Sequence, residues 1–180
     1  MKKIVMVMVV VMTAFAVNAA SFSWKTATSG GKVYSDATTT LDSGTAYLID
    51  AAVLSQTDLA SAVTGGTSLS DVIAGKTVGS ATVTAGKIAT DITTDAYASG
   101  ANVNFYTVVV NGDNYFASDS VAVTVSGVGD TIVQFKLSTP TKAADAWKDA
   151  TGTGGGVPEP TSGLLLLVGG ALLALRRRRA

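Results

Sequence analysis

The sequence predicts an all-β fold: an antiparallel β-sandwich with a short helical insertion, flanked by an N-terminal signal helix and a C-terminal transmembrane helix. In several short segments of residues 20–156, apolar and polar residues alternate, as in strands with one buried face. The same region contains 22 threonines, whose branched Cβ favours strands. The longest apolar runs lie at the two ends of the 180-residue chain. We therefore expect one β domain between two apolar ends.

The N-terminal end has the three parts of a secretory signal peptide. Lys2 and Lys3 precede an apolar run over 4–17, and small side chains stand at Val17 and Ala19. This order predicts a signal peptide over 1–19, with signal peptidase cleaving after Ala19. The alternative is a permanent membrane helix, but the run is shorter than the about 20 residues of a membrane span.

The first half of the body, which we predict to span 20–150, alternates strands with glycine-containing turns. The strands are expected at 21–26, 32–35, 45–53 and 78–84, with turns at 29–31 and 42–44. Between the last two strands, 55–63 is typical of a short helix, because Ser55 can cap it and Asp58 follows three residues later. A further turn of helix is expected at 70–75, ending at Gly75.

The second half predicts a meander of antiparallel strands. Strands are expected at 103–110, 115–117, 121–125 and 133–137, joined by turns at 111–114 and 127–130. Asn111-Gly112 is the best short hairpin signal in the chain. The aromatic side chains expected in the core or at its rim are Trp24, Tyr47, Phe105, Phe116, Phe135 and Trp147.

Charge and composition exclude several functions for the body. Residues 20–156 contain seven lysines, twelve aspartates, no arginine and no glutamate, a net charge of −5. Nucleic acid and anionic lipid both require a basic face, so neither is an expected partner. The chain has no cysteine and no histidine, which removes the commonest nucleophile–base pairs and most zinc or copper sites. No cofactor and no metal are predicted.

Aspartates are the remaining candidates for catalysis. A glycosidase needs two carboxylates about 5–10 Å apart in a cleft. The candidates are Asp91, Asp95, Asp113, Asp119 and Asp130. Aspartate also favours turns, because it hydrogen-bonds its own backbone. The turn at 111–114 offers oxygen ligands but not the spacing of a calcium loop. We therefore predict that the body is not an enzyme.

Exposed aromatic side chains support an alternative function, a carbohydrate-binding module. The candidates are Tyr34, Tyr97 and Tyr106, and two coplanar rings on a concave sheet would support it. Ice binding would require flat threonine arrays, whereas Thr-x-Thr steps such as Thr82-Val83-Thr84 are few and irregular.

The C-terminal end begins with a Thr/Gly-rich linker at 151–156, followed by a proline-rich motif, an apolar run and four arginines. We predict a transmembrane helix over 162–175. A helix over the apolar run 163–175 spans roughly 20 Å, less than the roughly 30 Å of the hydrocarbon core. The arginines that follow favour the cytoplasmic side of the membrane. One alternative is a core helix, but such a helix needs a polar face toward solvent, which this run lacks. The other is a nucleic-acid-binding tail, which the preceding apolar run disfavours.

Segment 157–180 resembles the PEP-CTERM sorting signal of exported bacterial proteins, which is also described as an ice-binding protein C-terminal domain. The matching residues are the sorting motif Val157, Pro158, Glu159 and Pro160, the apolar run, and the membrane stop Arg176, Arg177, Arg178 and Arg179. The resemblance implies an exosortase-type transpeptidase as partner. It also implies transient anchoring in the inner membrane, then the cell surface or extracellular matrix, where exopolysaccharide is a further partner. The expected function is that of an exported structural surface protein.

Overall fold

Two sheets and a helical layer make up residues 19–152, the part of the chain that the computed structural model describes. In chain order the elements are β1 (Ala20–Thr26), β2 (Ser43–Asp50), α1 (Gln56–Thr64), α2 (Leu69–Ile73), β3 (Thr77–Thr84), β4 (Ala89–Thr94), β5 (Asn102–Asn111), β6 (Asn114–Ala117), β7 (Val121–Thr124), β8 (Thr131–Phe135), α3 (Ser138–Thr141) and β9 (Lys148–Asp149). The predictions of a mostly β fold and of helices between the strands expected at 45–53 and 78–84 are confirmed, since α1 and α2 lie between β2 and β3.

The strand partners differ from the predicted meander. The small sheet has the order β4-β1-β8, and the large sheet has the order β3-β2-β5-β6-β9, with β7 also paired to β5. β7 pairs with β5 and not with β6, and β8 lies parallel to β1, with Trp24 opposite Val133, so the prediction of an antiparallel meander is wrong at both points. Alternation in 133–137 specifies which side chains are buried, but not which strand lies alongside.

The two sheets enclose the first hydrophobic cluster. Its buried members include Phe22 and Trp24 from β1, Phe105 from β5, Phe116 from β6 and Phe135 from β8. Phe22, Phe105 and the half-buried Tyr97 meet edge to face, with ring centroids 5.3–5.6 Å apart. The predicted core aromatics are thus confirmed, with Tyr47 and Trp147 half-buried at the rim.

The opposite face of the large sheet is covered by the helices. The second cluster contains Tyr106 and Val108 from β5, Leu59 from α1 and Leu69 from α2. Because β5 is buried on both faces, its sequence is a nearly continuous apolar run instead of an alternating one.

Both helices of the insertion begin at the same local motif. The Ser55 hydroxyl accepts a hydrogen bond from Asp58 N at 3.1 Å and donates to Asp58 Oδ2 at 2.7 Å, which confirms the predicted cap. α2 is capped in the same way by Ser68 and Asp71, so it begins before the predicted position of 70. The spacing Ser-x-x-Asp was visible in the sequence and marks this start.

Three further local differences separate the prediction from the structure. Residues 32–35 are not a strand, and only an isolated bridge joins Tyr34 to Thr40. The Asp36 carboxylate accepts hydrogen bonds from Thr38 N and Thr39 N and folds this segment into a tight loop. β4 and β9 were not predicted, because β4 has few large apolar side chains and β9 has only two residues.

The two ends of the described chain differ in exposure. Ala19 is exposed and directly precedes β1, whereas Gly152 is buried, with φ +74°. A Cβ at Gly152 would approach the Thr67 carbonyl carbon to 2.7 Å. The predicted linker therefore begins with two residues in contact with the body, while 153–156 lie outside the described residues. Within 19–152 no helix is long and apolar enough for a membrane span. The apolar run of the predicted signal peptide, 4–17, and the predicted transmembrane helix, 162–175, fall outside this range.

Candidate functional site

The three tyrosines predicted to bind carbohydrate lie in different places and do not form a platform. Tyr106 is fully buried in the second cluster, so its predicted exposure is wrong. The half-buried Tyr97 packs at the edge of the first cluster and donates to Asp50 Oδ2 at 3.1 Å. Burial raises the pKa of both hydroxyls above the ordinary value, and a nearby aspartate adds to each shift. The Tyr34 ring is covered by Lys142, whose Nζ lies 4.0 Å from the ring centroid.

The predicted aspartates are spread over the surface. Asp91 and Asp95 lie on and just after β4, Asp119 precedes β7, and Asp130 accepts a hydrogen bond from the Ser21 hydroxyl. Of the five, only Asp113 lines either of the two cavities described below. Among residues 19–152, no three His, Cys, Asp or Glu side chains are grouped so as to hold a metal ion.

The larger of the two cavities, which we call the Tyr47 cavity, lies between α2, the β5–β6 turn and the last residues of the described chain. Its volume is about 390 Å³. Side chains from four parts of the chain line it, among them Tyr47, Ser70, Ile73, Val110, Asp113 and Thr151. The sequence predicts Tyr47 at the core or its rim and Asp113 in a turn, but it gives no signal that the two residues meet.

Backbone hydrogen bonds hold the walls of the Tyr47 cavity in place. Ala150 N donates to Asp113 O at 2.7 Å, and Leu69 N donates to Ala150 O at 2.8 Å. Ala150 therefore connects the β5–β6 turn to the first residue of α2. The turn itself is short, because Asn111 pairs with Asn114 and Gly112 takes a positive φ of 57°. A glycine at the first of two loop positions fits a type II′ hairpin. The predicted hairpin is confirmed, centred one residue later than Asn-Gly.

The chemistry of the Tyr47 cavity is apolar at its floor and oxygen-rich at its rim. The half-buried Tyr47 ring, Ile73 and Val110 supply the apolar surface. Ser70 and Asp113 are exposed and supply hydroxyl and carboxylate oxygens. No lysine or arginine lines the cavity within the described part of the chain. Such a site suits a neutral ligand that has both an apolar face and hydroxyl groups.

In a second cavity, the Asp50 cavity, several of the polar lining groups already have hydrogen-bond partners within the protein. Its volume is about 360 Å³, and Asp50, Tyr97, Asn102 and Asn104 help to line it. Asp50 Oδ1 accepts from Ala52 N at 2.9 Å while its Oδ2 accepts from Tyr97, and Asn102 Oδ1 accepts from Thr124 Oγ1 at 2.7 Å. Groups that are already paired in this way primarily stabilise the fold.

The predicted sorting residues Val157 to Pro160 and Arg176 to Arg179 lie outside the described residues, whereas Ala19 is exposed at the start of the body. Comparisons of the chain with protein-family models, with curated proteins and with solved structures found no match.

Proposed function

We propose that this chain is an exported bacterial surface protein whose segment 157–180 directs its sorting and whose body is a non-catalytic β-sandwich associated with exopolysaccharide. The observation that carries the proposal is that both faces of the large sheet are covered by hydrophobic clusters of the body. Residues 20–150 by themselves supply two hydrophobic clusters, which supports roles in export and sorting for the apolar segments 4–17 and 163–175.

The positions of the chain ends suit this route. Cleavage after the exposed Ala19 leaves β1, which begins at Ala20, intact. At the other end, Gly152 is the last described residue and is buried against the body. The five residues 153–157 reach at most about 17 Å when extended, so the sorting motif begins within this distance of Gly152. A transpeptidase in the membrane would therefore meet the body near the face that carries Gly152.

Composition supports a non-catalytic role for the body. The chain contains no histidine and no cysteine, and glutamate occurs only at Glu159. Carboxylate-based hydrolysis would have to use aspartates, and the Tyr47 and Asp50 cavities are each lined by a single one. Glycosidases need two carboxylates on either side of one bond.

Fractionation of cells that express the full chain or a chain lacking 157–180 tests the sorting role. The full chain is expected first in the inner membrane and then, shortened, at the cell surface, whereas the truncated chain bypasses the membrane stage. Equal distribution of the two would refute the proposal. A finer test replaces Pro158 and Pro160 by alanine, which should block the shortening. The matched control is Pro140→Ala, at the remaining proline of the chain, which lies in α3 of the body. Sorting of this variant should be unchanged.

A further inference from the structure

We propose that the Tyr47 cavity binds a neutral sugar residue, with one face of the sugar ring against the Tyr47 side chain. This inference deepens the proposed function, and it rests on that function for the exopolysaccharide that would supply the sugar. The binding chemistry follows from the cavity alone and is testable without reference to sorting.

The size and construction of the cavity suit a small ligand. Its volume of about 390 Å³ falls in the lower part of the range of small-molecule sites, about 300–1,000 Å³. The hydrogen bonds of Ala150 to Asp113 and Leu69 hold two of its walls together before any ligand arrives. A site that is already ordered loses less conformational freedom on binding.

The floor of the cavity provides a surface for the C–H groups of a sugar ring. Tyr106 and Tyr115, the other tyrosines of the second cluster, are 0% and 2% exposed, whereas Tyr47 is only half-buried and lines the cavity. A tyrosine ring contributes a large apolar surface at little cost in side-chain entropy. Ile73 and Val110 extend this surface.

The rim of the cavity provides hydrogen-bonding groups for sugar hydroxyls. Asp113 lies at the tip of the β5–β6 hairpin, and its backbone carbonyl is held by Ala150 N. Its carboxylate can accept hydrogen bonds from two hydroxyls. On the opposite wall, Ser70 Oγ lies 3.0 Å from Ser68 Oγ and retains further hydrogen-bonding capacity.

The charge of the cavity selects against acidic sugars. Asp113 is the only charged side chain among its described lining residues. A uronate or a sulfated sugar would place its anion near this carboxylate without a cation to compensate. Neutral sugars avoid this cost, so the inferred ligand is a neutral hexose or pentose unit of a polysaccharide.

The test uses the full chain, purified in detergent, on an array of neutral glucans, mannans, galactans and xylans together with acidic alginate and polygalacturonate. The strongest neutral oligosaccharide is then titrated by calorimetry. We expect Tyr47→Ala to weaken binding by about tenfold or more, and Asp113→Asn by a factor of a few to about tenfold. The control Tyr34→Ala changes another half-buried tyrosine away from the cavity and should leave the affinity unchanged.

A third variant tests the site without disturbing the core. Ser70 is exposed, so Ser70→Leu fills the cavity from its rim and should abolish binding even if Tyr47→Ala fails to fold. Absence of binding to every neutral glycan, preference for the acidic ones, or binding that survives Ser70→Leu would overturn the inference. Since these readouts are binding constants, a failure of the proposed sorting would leave them unaffected.

Discussion

Tyr106 and Thr107 are neighbours on β5 and point to opposite faces of the large sheet, and both are fully buried. Toward the small sheet, Thr107 Oγ1 accepts a hydrogen bond from Trp24 Nε1 at 3.2 Å. Toward the helices, Tyr106 Oη has no hydrogen-bond partner among residues 19–152. The two faces thus bury hydroxyl groups of similar chemistry, but only one face supplies a partner.

The difference reflects what covers each face. The small sheet brings side chains from β1 into a defined register, which places the Trp24 indole opposite β5. The helical layer consists of two short helices. In each helix the capping serine bonds to an aspartate of the same helix, as Ser55 does to Asp58. It excludes water from the sheet but leaves Tyr106 Oη unpaired. An unpaired buried hydroxyl costs about 1–3 kcal/mol, so substitutions on the two faces should change the free energy of unfolding differently.

The largest expected effect is loss of packing between the sheets. Phe105→Ala removes a ring that contacts both Phe22 and Tyr97 and should lower the free energy of unfolding by about 3–5 kcal/mol. Leu59→Ala in α1 should cost closer to about 2 kcal/mol, because a short helix on the surface relaxes more easily. Urea unfolding followed by tryptophan fluorescence measures both values. An equal or larger cost for Leu59→Ala would show that the helical layer is the more rigid face.

A smaller loss is expected when the pairing of Thr107 is removed. Thr107→Val keeps the shape of the side chain but leaves the Trp24 indole N–H unpaired in the core, at a cost of about 1–3 kcal/mol. Thr82→Val makes the same change at an exposed position of β3 and should stay within about 0.5 kcal/mol of the parent. The same urea unfolding experiment measures the stability of both variants. Equal stability of the two variants would mean that the indole hydrogen bond contributes nothing.

The neighbouring change on the other face should not lower the stability. Tyr106→Phe removes a hydroxyl without a partner and should leave the free energy of unfolding unchanged or raise it by up to about 1 kcal/mol. Tyr34→Phe, at a half-buried ring outside both clusters, serves as the control. A clear loss of stability in Tyr106→Phe would reveal a partner for this hydroxyl and remove the contrast between the faces.

The smallest expected effect on stability comes from Asp36, in the loop after Tyr34, which belongs to neither face of the large sheet. Hydrogen bonds from Thr38 N and Thr39 N lower the pKa of Asp36 from 3.8 to about 2. Because the folded pKa is depressed, the stabilisation is present above pH 4 and is lost as the pH falls toward 2. Titration of the Asp36 carboxyl carbon by NMR should show this low midpoint, with Asp36→Asn used to assign the signal. A midpoint at or above 3.8 would contradict the loop geometry.

Local patterns in the sequence predicted much of the fold correctly. Ser55 and Asp58 predicted the start of α1, Asn111-Gly112 predicted the hairpin, and alternation predicted β7 and β8. All of these signals act over a few residues, where capping bonds, turn geometry and the pleat of a strand depend on neighbours along the chain. The candidate site was not predictable in this way. Tyr47 and Asp113 are 66 positions apart in the sequence and lie together because β2 pairs with β5, which leads directly into the turn that carries Asp113.

By itself, the sequence determined the mostly β character of the body, its capped helical insertion and its lack of histidine and cysteine. Only the tertiary structure decided that β8 pairs in parallel with β1, that Tyr106 is buried, and that Tyr47 faces a cavity. The physical reason is that burial patterns along a strand specify which face is covered, whereas the covering element is chosen by packing between distant segments.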